Sequence, residues 1–239
     1  MSRRPKPSGE DWSLDRVLDT LTALGSEENR AGMARFGIDT SRAFGVPMAE
    51  LRPLARRIGK QESLADELWT SGYHEARLLA ILIISPVNLT DARALHWLSE
   101  IRSWDHCDQL TNVLARREGS DALIASLAAN EKEFLRRAAF ALIAWRAVHA
   151  KKSPDTEFLS YLPLIRTAAS DPRNFVWKAV HWALRQIGKR STSLHGPALK
   201  LAEELFEDQN KTVRRVGREA FRELNSDKVR QRLSIGKTE

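Results

Sequence analysis

One apolar spacing recurs along the chain, and it constrains the fold more than any single residue does. Apolar side chains at i, i+3, i+4, i+7 and i+8 make the buried face of a helix. That pattern starts at Ala76 (then Leu79, Ala80, Ile83, Ile84), at Leu135 (Ala138, Ala139, Leu142, Ile143), at Val176 (Ala179, Val180, Ala183, Leu184, Ile187) and at Val213 (Val216, Gly217, Ala220, Phe221, Leu224). A weaker copy starts at Cys107 with Leu110, Leu114 and Ala115. The start-to-start distances are 31, 28, 41 and 37 residues, and each interval holds another helical segment, such as LSYLPLIRTAAS or GPALKLAEELFED. Almost no stretch alternates with the period of two that a half-buried strand requires, so the chain is expected to be all-α. Helix pairs repeating near 40 residues stack into a HEAT-like (ARM-type) solenoid whose second helices line a concave groove.

A chain of 239 residues, 42% of them hydrophobic, is long enough to bury a substantial core. The expected organisation is a single repeat domain over 11–226, with a disordered basic tail at 1–10 and a flexible tail at 227–239. Lysine and arginine number 38 against 31 acidic residues, a net charge of +7 with a pI near 9.8, which favours polyanionic partners. The single cysteine, Cys107, excludes an internal disulfide and any multi-cysteine zinc site, and suits a reducing compartment. The segment SRRPKPSGE lacks the apolar stretch of a signal peptide, and LLAILII is far too short to span a bilayer. A cytoplasmic, monomeric protein without membrane association is expected.

The helix read across 175–190 carries a second stripe. Opposite its apolar face, Lys178, Trp182, Arg185 and Lys189 form a line of three cations around a tryptophan. Burying an indole is worth about 1.5–3 kcal/mol or more, so an indole left among cations points to a planar or anionic ligand, and nucleic acid offers both. Arg137, Lys178 and Arg215 occupy the same place in the repeat frame, two residues past its start, which would set three cations side by side along one surface. Three solvated surface cations would fit the same pattern.

Trp104 and Asp108, at i and i+4 in SWDHCDQL, leave one side of a helix and form a candidate site of an indole beside a carboxylate. The alternative is that Trp104 packs in the core while Asp108 pairs with a neighbouring arginine. Asp105, His106 and Asp108 point around a helix instead of converging, so no metal site is expected. The other histidines, including His181, show no metal spacing. P-loop, G-x-S-x-G and G-x-G-x-x-G motifs are absent, which removes nucleotide-hydrolysing, esterase and dinucleotide-binding readings. Cys107 sits in the apolar frame and reads as core.

The ordered segments SWDHCDQL, FLRRAAFALIAW and NFVWKAVHWALRQIGKR, with MARFGIDTSRAFGVPMAELRPLARRIGK before them, resemble the DNA alkylation repair proteins of the AlkD type, the HEAT-like repeat DNA glycosylases. The similarity covers roughly residues 12–225. It implies a concave basic surface that holds duplex DNA, and excision of purines alkylated at N3 or N7 by hydrolysis of the glycosidic bond, without a cofactor and without the pocket insertion of base flipping. Carried over motif by motif, Asp108 would be the catalytic carboxylate and Trp104 and Trp182 the aromatic groups around the lesion. Arg137, Arg185, Lys178 and Lys189 would contact DNA, joined by Arg215 from the repeat frame, and Phe36 would stand where the family has a DNA-approaching tyrosine. The block with Trp177 also resembles a subgroup that keeps the solenoid and binds branched or otherwise unusual DNA without excision.

Overall fold

The structure is a computed structural model and describes residues 11–235. The tail expected at 1–10 and residues 236–239 lie outside the described residues. Among those described there is no strand. The described residues form two compact units, one ending at Asn88 and the other beginning at Leu89.

The first unit contains α1 (Leu14–Leu24), α2 (Glu27–Ala34), α3 (Met48–Ile58), α4 (Glu62–Ser71) and α5 (His74–Ile83). The sequence HEARLLAILI makes α5 apolar on nearly every side, and α1, α3 and α4 pack against it. Its one buried acid, Glu75, is fully shielded from solvent. The carboxylate accepts the backbone N–H groups of Phe44 (2.9 Å), Gly45 (2.7 Å) and Val46 (3.1 Å), which have no helical partners in the loop ahead of α3. Gly45 has a φ of 81°, and a Cβ there would sit 2.1 Å from the Ser26 carbonyl oxygen, so only glycine closes this loop.

The second unit contains α6 (Asp91–Glu100), α7 (Trp104–Leu114), α8 (Ile124–Ala128), α9 (Glu133–His149), α10 (Asp155–Ser160), α11 (Leu162–Ala168), α12 (Asn174–Gly188), α13 (Thr192–Phe206), α14 (Lys211–Leu224) and α15 (Asp227–Ile235). The frames begun at Cys107, Leu135, Val176 and Val213 fall on α7, α9, α12 and α14, which pack in that order, α7 on α9, α9 on α12 and α12 on α14. Every residue of those frames is buried except Phe221, which tilts against Phe206 with ring centroids 6.1 Å apart. Burial of these side chains, about 1.5–3 kcal/mol each for the larger ones, is what holds the helix layers together.

Two local expectations change. LSYLPLIRTAAS forms two helices, α10 and α11, that meet at Tyr161, because Pro163 is admitted only in the first turn of a new helix. Part of the expected C-terminal tail, 227–235, is helix α15, which packs on α14 with Val229 buried.

Candidate nucleic-acid interface

An open cleft of about 510 Å³ lies across the second helices of the second unit. It is lined by Asp108 from α7, Arg137 from α9, Glu219 from α14, and Trp177, Lys178, His181, Trp182 and Arg185 from α12. The concentration on α12 follows from its sequence. Buried Val176, Ala179, Val180, Ala183, Leu184 and Ile187 turn one face to the core, and the 3.6-residue period sends 178, 182 and 185 the other way.

Asp108 and Arg137 form the wall of the cleft. Arg137 Nε and Nη2 donate to the two carboxylate oxygens at 3.0 and 2.8 Å, a fork-on-fork pair, and Nη1 donates to the Phe175 carbonyl on α12 at 2.6 Å. Burial pushes the Asp108 carboxyl above its ordinary value, and the charge and hydrogen bonds of Arg137 oppose that rise. Arg137 is therefore 5% exposed and does not stand in a row of surface cations with Lys178 and Arg215. The physical reason is the acid on the preceding repeat. Asp108 draws Arg137 inward, whereas Lys178 has no carboxylate partner among the described residues and is exposed.

Three further cations of the sequence reading also have partners. Arg185 and Lys189 both pair with Glu223 of α14 and are half-buried, so neither is a free phosphate anchor as it stands. Arg215 is exposed, but its guanidinium lies 4.1 Å from the centre of the Trp177 ring. Burial acts to raise Glu223, and Lys189 and Arg185 more than offset it, so this acid sits below its ordinary value.

Trp182 is half-buried, held edge-on to Trp145 at 5.3 Å and 85°. Trp145 in turn donates its indole N–H to the backbone carbonyl of Asp108 at 3.0 Å, linking the tryptophan pair to the carboxylate-bearing helix. Trp104 is half-buried at the start of α7, one turn ahead of Asp108, and does not line the cleft. Phe36 belongs to the first unit, in the turn after α2, and is 68% exposed. Cys107 is fully buried, with its thiol pushed up by burial and Sγ 3.6 Å from the Phe134 carbonyl oxygen, which makes it an unreactive core residue.

Several residues in the cleft or in contact with its lining escaped sequence reasoning. His181 stacks on Trp177 at 5.4 Å. Burial, and secondly the Arg185 cation, lowers its pKa to about 3, so the imidazole is neutral at physiological pH. Trp145, Glu219 and Glu223 were legible in principle. Trp145 lies eight residues past Arg137, and Glu219 and Glu223 lie four and eight past Arg215, on the same helix faces as the cations already noted. Extending each stripe by two turns exposes the acids that mix the charge of α14.

The cleft offers an oriented carboxylate, an indole braced by Trp145 and an exposed lysine. Among the described residues no helix is long and apolar enough to cross a membrane. No curated protein matches the chain. A solved structure described as "A new family of proteins related to the HEAT-like repeat DNA glycosylases with affinity for branched DNA structures" superimposes with a TM-score of 0.75 at 18% identity, over 88% of this chain and 95% of that one. The two share the helical-repeat fold. Residues 17–224 match the family described as DNA alkylation repair enzyme, and the protein belongs to that family.

Proposed function

We propose that this protein binds DNA in the cleft of its second unit and excises N3- or N7-alkylated purines by hydrolysis of the glycosidic bond. The observation that carries the reading is the Asp108 carboxylate, held at the cleft wall by Arg137 in company with Trp177 and Trp182. A purine alkylated at N3 or N7 is already cationic and leaves without protonation. What accelerates its departure is negative charge near C1′ to stabilise the oxocarbenium ion and orient the attacking water. Each carboxylate oxygen has two lone pairs, so pairing with Arg137 leaves capacity for that water. Trp182, braced by Trp145, supplies a rigid π face for the sugar and the cationic base. Lys178 is placed for a phosphate contact, and the reaction consumes water only.

The test is release of N7-methylguanine and N3-methyladenine from methylated duplex DNA by wild-type protein and Asp108→Asn. Release that falls by two orders of magnitude or more in the variant supports the reading; equal release, or none from wild type, overturns it. Because burial holds the Asp108 carboxyl above its ordinary value, and the ionised form is the active one, excision should decline on the acidic side at a pH above that of an ordinary aspartate.

A second reading is a non-catalytic binder of branched DNA. It is favoured by the engagement of both Asp108 oxygens by Arg137 and by the affinity ascribed to the structural relative. It predicts tighter binding to a four-way junction than to linear duplex, unchanged by Asp108→Asn.

A further inference from the structure

Beside the cleft, a second recess of about 400 Å³ is lined by Phe206, Lys211, Arg214, Arg215 and Arg218. The cleft mixes cations with Asp108 and Glu219, whereas this recess has four cations and no lining acid. Positions 211, 214, 215 and 218 make one face of α14 at i, i+3, i+4 and i+7, opposite buried Val213, Val216, Gly217 and Ala220. All four cations are exposed. Lys211 and Arg215 have no carboxylate partner among the described residues, Arg214 donates only to the Asp208 carbonyl at 3.1 Å, and Arg218 is loosely paired with Glu219 at 3.4 Å.

The phenyl ring distinguishes one nucleic-acid ligand from another. Phe206 is 38% exposed at the end of α13, among these four cations, with its ring tilted against Phe221. Its place is set by Gly217, where a Cβ would lie 2.2 Å from the Phe206 backbone nitrogen, so α14 runs directly against this end of α13. A duplex keeps its base faces stacked on one another and offers such a ring no free π face. An unpaired nucleotide presents both a phosphate and a free π face, the combination that cationic grooves with aromatic platforms recognise.

We infer that this recess is a single-stranded DNA site, in which an unpaired base stacks on Phe206 and its flanking phosphates lie on Lys211, Arg214 and Arg218. Arg215 lines this recess and stacks on Trp177 of the cleft, so one DNA molecule can reach both. The inference goes beyond the excision reading and holds whether or not Asp108 is catalytic.

Fluorescence anisotropy with a labelled duplex, and with the same duplex carrying a short single-stranded flap, tests it. Wild type should bind the flap substrate more tightly, and Phe206→Ala should remove about fivefold or more of that advantage while leaving plain-duplex affinity unchanged. Phe206→Leu, which keeps an apolar side chain against Phe221 but lacks the π face, should lose the same advantage. The triple variant Lys211→Gln/Arg214→Gln/Arg218→Gln should lower the log–log salt slope for the flap substrate by about 2, at about 0.7 per single-strand phosphate contact. Equal wild-type affinity for the two DNAs, retention of the advantage by Phe206→Leu, or equal loss on plain duplex would overturn the assignment. Failure of excision with the flap preference intact would sink the proposed activity and leave this site standing.

Discussion

Removing Arg137 leaves the Asp108 carboxylate desolvated and without its counter-charge, and that is the largest single-residue effect expected in the second unit. Arg137→Met should cost about 3 kcal/mol or more in urea denaturation, because breaking a buried pair strands the remaining charge. Adding Asp108→Asn should recover a substantial part of the loss; a strictly additive double variant would show that the pair does not act as a unit. His181 makes a separate prediction. Its folded pKa of about 3 lies below the ordinary 6.5, so the unfolded chain binds a proton that the folded chain refuses. Stability is therefore complete above about pH 6.5 and falls as the pH drops toward 3, by up to about 1.4 kcal/mol per unit. Urea midpoints at pH 7 and pH 4.5 should diverge more for wild type than for His181→Gln. At this scale the sequence singled out Asp108 and Trp182 as candidates, while the groups they meet, Arg137 as a buried fork and Trp145 as a brace, come from other helices.

Helix contacts in this fold are set by small residues as much as by large ones. Gly217 is the clearest case, since a methyl group there meets the α13 backbone and not a side chain that could move. Gly217→Ala should destabilise the protein by about 2–3 kcal/mol, read from thermal or urea unfolding, as overpacking against rigid backbone does. The sequence placed Gly217 on the buried face of its repeat frame, yet only the packed pair shows that the position tolerates no side chain. The helices themselves were largely legible. The expected 175–190 helix forms over Asn174–Gly188, and the frames at Leu135 and Val213 fall on α9 and α14. The misreadings have physical causes. Pro163 divides a segment whose apolar pattern continues across it, and 227–235 packs on α14 as a helix with Val229 buried.

Across the molecule, the two units are built by the same local rule, and the polar side chains of the second converge on the cleft. If DNA lies there, Lys178→Ala should lower the log–log salt slope of duplex binding by about 0.9, one phosphate contact. Lys189→Ala should change it far less, because Glu223 already holds that ammonium. A slope shifted equally by both would mean that DNA displaces Glu223 from its pair. The difference between these lysines is invisible in the stripe they share on α12, and it marks the boundary between what each level decides. By itself the sequence determined the all-helical repeat architecture and which faces are buried, because hydrophobic burial is non-directional and its period is written locally in each helix. Only the tertiary structure decided which cations are exposed, which are buried in pairs and which aromatic rings meet. A hydrogen bond or ion pair needs two specific groups within about 3 Å, and the groups that meet here, Asp108 with Arg137 and Arg185 with Glu223, lie 29 and 38 residues apart on separate repeats.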